Sequence, residues 1–524
     1  MAYYPILGEK GAYLAEMARL GVNVPPGFTL TSRVCTMFFS DGRVLCDKTQ
    51  ELLLGCIERL EGVTGCILGS PDRPLLLAVR AGSCFSMPGM MDTILNVGLN
   101  HETTEGLAKI TGNPLFAHEC YYGLIKKYSA SVLGLVSGIE TIVGEEDPAC
   151  SSPEVMQQRV ESLLENVAAA TGKPFPQDPR EQLIGALGAI FSSWQSESAI
   201  AYRQIFNIPH QFGTAATIQQ MVFGNLGQKS CSGVAFSRNP LTGERHLFGE
   251  YLPCSQGEVL ACGQGKPLPL SSDERDRFSR LSLELRFPEL YWELETVARK
   301  IELHLCDMQD IEFTIENKSL YVLQTRPAKR TNHAALRVAI DLVNEGIIDK
   351  QVAVARLDEV GLRELLLPVF SPSVPKRLVV KGNPASTGVA CGKLAFMRKD
   401  AIKRAQAGED IILVADRTTP NDISTIAASR GVLTREGGMT SHAAINSRRM
   451  VKPCVTGCET LQIDREAEIL RIDSFELGPD DTVRIDGYTG EVFLGVVEII
   501  KPEYPQAVSD KGPLDIERYI NTYI

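Results

Sequence analysis

Apolar positions along residues 7–330 alternate between two periods. Stretches at helical spacing are interleaved with short runs of strand alternation and glycine-rich turns, which is the pattern of an α+β or α/β chain. Further on, Ala335, Val338, Ala339, Leu342 and Val343 recur at helical spacing and stop near Gly346, and a second helical stretch runs through Ala353 and Leu357. A proline-rich segment with Pro368, Pro372, Pro375 and Pro384 reads as a semi-rigid linker. Short β runs such as Ile411-Ile-Leu-Val414 and Thr482-Val-Arg-Ile485 then alternate with turns and a few helices up to Gly495. From Lys501 the chain is polar, with Pro502, Pro505 and Pro513, and reads as another connector. The expected organisation is a large domain over 1–330, a helical connector and linker over 331–375, a smaller domain over 376–500 and a connector over 501–524.

The 524 residues give a prior of roughly three to four domains. With 44% hydrophobic and 22% charged residues, the chain has the composition of an ordinary packed protein. A net charge of -11 argues against broad binding to nucleic acid or anionic lipid, so any phosphate site has to be local. No apolar run reaches the roughly 18 residues of a membrane span, and Met1 to Gly8 lacks the regions of a signal peptide. The 14 cysteines include no Cys-x-x-Cys pair, which fits reduced thiols and a cytoplasmic location.

Candidate chemistry starts at Gly431-Val-Leu-Thr-Arg-Glu-Gly-Gly-Met-Thr-Ser-His442-Ala-Ala-Ile, which reads as a strand, a glycine turn and a helix capped by Thr440 or Ser441. His442 then falls in the first helical turn. There the unpaired N–H groups and the positive helix end suit a phosphoryl group on the ring and disfavour imidazolium. Spacing alone equally allows a capping histidine without chemistry.

A second site is indicated by Asp310-Ile-Glu-Phe-Thr-Ile315 and Leu320-Tyr-Val-Leu-Gln-Thr-Arg326, two alternating runs that read as a β-hairpin. Alternation puts Asp310 and Glu312 on one face of their strand and Gln324 and Arg326 on one face of the partner. If Asp310 pairs opposite Gln324, the loop is Glu316 to Lys318 and the four side chains share a surface. Two carboxylates and an amide suit a Mg²⁺ ion that keeps some waters, and the arginine can grip a phosphate. A solvated polar face on an edge hairpin is the other reading. Lys10 and Arg80, near glycine-rich turns, can neutralise a polyphosphate, and the small-residue loop Asn225 to Ser232 can serve as a backbone cradle or as an ordinary hairpin loop. No Walker A or G-x-G-x-x-G string is present.

The string Gly437-Gly-Met-Thr-Ser-His442-Ala-Ala, continued by Lys452-Pro-Cys-Val455, resembles the phosphohistidine signature of the pyruvate phosphate dikinase family, which includes phosphoenolpyruvate synthase. The resemblance extends to Leu7-Gly-Glu-Lys10-Gly-Ala, Val24-Pro-Pro-Gly-Phe-Thr, Val79-Arg80-Ala-Gly and Ser86-Met-Pro-Gly-Met-Met-Asp-Thr93, the last favouring the dikinase. With Phe175-Pro-Gln-Asp-Pro, Gly243-Glu and Phe248-Gly-Glu it covers the chain from Leu7 to about Gly495. It implies an ATP-grasp nucleotide-binding domain and a swivelling β/β/α phosphohistidine domain, with His442 as the phosphoryl carrier. Lys10, Arg80, Asp310, Glu312, Gln324 and Arg326 match the family's nucleotide residues, with Asp310, Glu312 and Gln324 on Mg²⁺. Thr440 matches a threonine that is a regulatory phosphorylation site in the plant enzymes.

Several positions depart from the family pattern. Cys231 stands for a usual glycine of the phosphate loop, Cys84 for an arginine, Tyr122 and Gly123 for an arginine pair, and Arg449 and Val451 for glycines. Full-length members continue into a (β/α)₈ barrel of about 250 residues that binds pyruvate or phosphoenolpyruvate, and this chain stops where the connector to it begins. The expected function is ATP- and phosphate-dependent phosphorylation of His442, a phosphotransferase activity. Transfer to pyruvate would need a barrel from a separate protein or a full-length homologue; a second copy of this chain is a further candidate partner. A catalytically silent homologue that binds nucleotide or a full-length partner, or a truncated gene product, are the alternatives.

Overall fold

The computed structural model describes residues 3–135 apart from 86, 88 and 89, then 152–257, 259, 265–272, 281–357, 369–370, and 377–500 apart from 474 and 498. Pro368, Pro372 and Pro375 of the proposed linker, part of the Ser86–Thr93 string, and the connector over 501–524 lie outside the described residues. The fold is mixed α/β and multidomain. By internal contacts the chain divides into two compact units: Met1–Cys231 with Thr314–Thr325, and Ser232–Phe313 with Arg326–Ile524.

The first unit is built on an antiparallel four-stranded sheet in the order Gly27–Leu30, Ala215–Gln220, Leu77–Gly82, Thr93–Val97. Helices Asp47–Thr64, His101–Thr111, Pro114–Ser131, Pro153–Thr171 and Pro179–Ser193 share its apolar core, which includes Leu77, Val79, Ile94, Ile190 and Ile218. Their ends follow from local chemistry. Asn100, Asn113, Ser152 and Asp178 each accept a backbone N–H as N-cap, proline opens three of the five, and Gly65, Gly112 and Gly172 end three in the left-handed region.

A five-stranded sheet, most of it in the second unit, runs Leu268–Pro269, Phe248–Pro253, Cys231–Phe236, Gln309–Glu316, Ser319–Pro327. The helix Asn332–Asn344 ends as its pattern predicts, with Gly346 at φ 69° just beyond it. Its Val338 and Leu342 pack on Phe236, Met308 and Ala328. Arg238, fully buried, ties this helix down through Asp341 and Glu345 while also meeting Glu302 of the helix Pro288–Leu305.

The eight-stranded sheet that follows has a parallel centre, Val389–Ala395, Ile411–Ala415, Gly431–Thr434 and Cys454–Thr456, with antiparallel strands on both sides. A small antiparallel sheet, Gln462–Asp464, Ile469–Ile472, Phe475–Leu477, closes over part of its core. The central strands Ile411–Ala415 and Gly431–Thr434 are buried along their whole length, as strands covered on both faces are, and their ends carry the loops that surround His442.

Candidate functional site

The strand Gly431–Thr434 leads through Gly437, at φ 104°, into the helix His442–Arg449. Of the two candidate caps, Ser441 is the one used, its hydroxyl accepting from Ala444 N–H at 3.4 Å. His442 is the first helical residue. Its Nδ1 lies 3.1 Å from Thr418 Oγ1, and its buried Nε2 has no hydrogen-bond partner. Burial pulls the ring pKa down to about 4 against the opposing pull of Asp422, so the imidazole is neutral at pH 7. Desolvation is the leading cause of that neutrality. Thr440 is 5% exposed, so a kinase reaches it only if this loop opens.

The loop before His442 is braced from two sides. Arg448, buried on the same helix, donates to Met439 O at 2.6 Å and to Ala385 O at 2.9 Å, while Glu250 Oε1 accepts Met439 N–H at 2.6 Å. Burial holds the Glu250 carboxyl above the usual range and pulls Arg448 down to about 10. The helix ends in a Schellman arrangement, with Lys452 N–H to Ser447 O at 2.9 Å and Val451 N–H to Arg448 O at 3.2 Å. Val451 therefore sits at φ 52°, a conformation suited to glycine.

The nucleotide candidates fall into two groups. In the first unit the helix Tyr4–Arg19 is kinked at Gly8, φ 70°, where a Cβ would come 1.8 Å from Gly82 O. Only glycine allows that approach, which brings Lys10 against the end of the strand carrying Arg80. Arg80 Nη1 donates to Leu323 O at 3.2 Å, next in sequence to Gln324. In the second unit Arg326 Nε donates to Asp310 Oδ2 at 2.8 Å, and Asp310 Oδ1 is buried without a partner. Burial raises the Asp310 carboxyl above its ordinary range, and Arg326 opposes that shift.

The hairpin turn differs from the expectation. The strands Gln309–Glu316 and Ser319–Pro327 leave only Asn317 and Lys318 between them, at φ 45° and 70°. Ala328 N–H bonds to Met308 O at 2.9 Å, and the Asp310 and Arg326 side chains meet across the two strands. The turn with two left-handed residues is tighter than the one assumed. Asp310 and Arg326 nonetheless meet, with Arg326 Nε 2.8 Å from Asp310 Oδ2.

Among the described residues no group of three or more His, Cys, Asp or Glu side chains is placed to hold a metal. The candidate donors for Mg²⁺ include only two carboxylates, and the partnerless Asp310 oxygen is the observation that fits an added cation there. Of the departing positions, Cys231 is fully buried as the first residue of its strand, beyond the loop to which it had been assigned. Cys84 is half-buried, with burial raising its thiol pKa. Tyr122 is half-buried and Gly123 is exposed on the helix Pro114–Ser131, with nothing within 4 Å of a Cβ built at Gly123. Sequence reasoning missed Thr418, Arg448 and the role of Glu250, because contacts made across sheet ends leave no periodic signal.

The family profile described as "Pyruvate phosphate dikinase, AMP/ATP-binding domain" matches residues 63–258 and 264–346, more than half of the chain. The chain belongs to the pyruvate phosphate dikinase family. A second profile, "PEP-utilising enzyme, mobile domain", matches residues 407–490 and contains His442. The chain is 41% identical to the pyruvate, phosphate dikinase of Rhizobium meliloti (strain 1021) over 507 residues, 95% of this chain and 56% of the relative. For the enzyme of Clostridium symbiosum the identity is 42% over 504 residues, 94% and 56% of the two chains. For pyruvate, phosphate dikinase 1, chloroplastic, of Oryza sativa subsp. japonica it is 38% over 507 residues, 95% and 52%. The chain thus spans about half the length of the curated relatives it matches. No helix among the described residues is long and apolar enough to cross a membrane.

Proposed function

We propose that this protein carries out the nucleotide half-reaction of a dikinase, in which ATP and phosphate phosphorylate His442 and release AMP and pyrophosphate. The observation that carries the reading is the state of His442: a neutral ring at a helix start, with Nδ1 held by Thr418 and a partnerless Nε2. The Nε2 lone pair attacks the β-phosphorus, the bond to the bridging oxygen of AMP breaks, and the terminal phosphoryl group passes to orthophosphate. Helix N–H groups and Ser441 receive the phosphoryl group on the ring. Lys10, Arg80 and Arg326 neutralise the polyphosphate.

Asp310, Glu312 and Gln324 are the donors assigned to Mg²⁺, which when bound supplies charge neutralisation at the phosphates. Transfer from His442 to pyruvate would need a (β/α)₈ barrel, which the sheets among the described residues do not form. The described cysteines are free thiols, which suits the reducing cytoplasm as the working compartment.

The test is a stoichiometric one. Incubation with ATP, phosphate and Mg²⁺ should yield AMP and pyrophosphate up to one equivalent per chain, and Glu312→Gln should abolish the yield without altering the circular dichroism spectrum. No AMP from the wild type at saturating ATP would favour a silent homologue, and full retention in Glu312→Gln would make the hairpin face merely solvated.

A further inference from the structure

We propose that Asp422, clamped by Arg398, is a positioning residue that fixes which ring nitrogen of His442 carries the proton. The inference deepens the phosphocarrier reading and rests on it for its kinetic half. Asp422 Oδ2 accepts Thr419 N–H at 2.7 Å and Thr419 Oγ1–H at 2.8 Å. Arg398 Nε donates to Asp422 Oδ1, while its Nη2 lies 3.4 Å from Asp422 Oδ2 and 3.2 Å from Thr419 Oγ1. Both carboxylate oxygens are committed, in a place where Asp422 is only 6% exposed. The turn they lock delivers the neighbouring Thr418 hydroxyl to His442 Nδ1.

A neutral imidazole has one N–H and two ways to meet a hydroxyl. If Thr418 donates to Nδ1, the proton sits on Nε2 and no lone pair remains there to attack. If Nδ1–H donates to Thr418, Nε2 is the nucleophile. Two features select the second arrangement. Nε2 is buried and partnerless, and an unpaired buried N–H is the costlier orphan. The carboxylate of Asp422 also belongs to the turn that faces Nδ1, so its negative charge favours an N–H dipole directed toward that side, the logic by which a buried aspartate orients a catalytic histidine. Arg398 completes the device by balancing the carboxylate, so that the charge orients the ring without drawing a second proton onto it.

The competing account is structural: Asp422 merely ends the turn Pro420–Asp422 and starts the helix Ile423–Ala428. The full chain labelled with ¹⁵N in histidine separates the two, the His442 resonances being assigned with His442→Gln. At pH 7.5 the wild type should show a pyrrole-type Nδ1 and a pyridine-type Nε2. Asp422→Asn should shift both toward tautomer averaging and slow phosphohistidine formation at least tenfold at saturating ATP, with KM for ATP unchanged. Thr418→Val should behave likewise and Thr418→Ser should be restored to wild type. If Asp422→Asn does not fold, Arg398→Gln, which leaves the carboxylate in place but unclamped, should show the same averaging in milder form. A wild-type proton on Nε2, or a tautomer signature unmoved in the variants, would overturn the proposal. The NMR readout needs no nucleotide, so a wild type that never becomes phosphorylated would sink the phosphocarrier reading while leaving the tautomer result to decide this one.

Discussion

Replacing His442 by glutamine should remove a specific acid sensitivity from the fold. The folded ring titrates at about 4, while an unfolded histidine titrates at about 6.5. Above pH 6.5 both states are neutral and the histidine contributes no pH dependence. As pH falls from about 6.5 to about 4 the unfolded chain takes up a proton that the folded ring refuses, so stability is lost across that window. The gap of roughly 2.5 units corresponds to about 3 kcal/mol in full, of which about 2 kcal/mol is lost by pH 5. Buried Glu250 and Asp310 act in the opposite direction, because their raised folded pKa values make protonation on acidification favour the fold. A double difference cancels them. Urea unfolding of wild type and His442→Gln, each at pH 7.5 and pH 5, should show the wild type losing about 2 kcal/mol more than the variant on acidification. Equal losses in the two proteins would refute the claim that this imidazole is held neutral by burial.

Three further outcomes follow from local geometry. Val451→Gly should raise the thermal midpoint, by about 1 kcal/mol in stability, because it relieves a β-branched residue at φ 52° in a Schellman cap; a lower midpoint would contradict this. Arg238→Met should cost about 3 kcal/mol or more in denaturant unfolding, since Glu302 is 1% exposed and loses its buried partner; a neutral effect would show that Arg299 alone satisfies it. Arg448→Met, which frees Met439 O and Ala385 O, should make trypsin cleavage after Arg435 faster, read by mass spectrometry, because the loop before His442 loses one of its two braces; an unchanged rate would assign the bracing to Glu250 alone.

How far the sequence reached depended on the range of the interaction. The helix at His442, its glycine turn, the helix end at Gly346 and the Asp310 hairpin are set by neighbours a few residues apart, and capping and alternation suffice to place them. The hairpin turn is one residue shorter than expected, because two left-handed residues, Asn317 and Lys318, close it. Thr418 meets His442 from a loop 24 positions away, after a different strand, and no period in the sequence connects them. Glu250 stood in a recognisable string, yet its work on the Met439 backbone appears only once sheet and loop are folded together. The departures divide similarly: the strain at Val451 follows from the glycine pattern, while the full burial of Cys231 within a strand needed the sheet.

The central claim is that the β-phosphoryl group of ATP comes to rest on His442. Protein incubated with Mg²⁺, phosphate and ATP labelled at the β-phosphate should retain acid-labile, base-stable label, and His442→Ala should retain none. Label that persists in His442→Ala, or no label in the wild type under nucleotide saturation, would contradict the account.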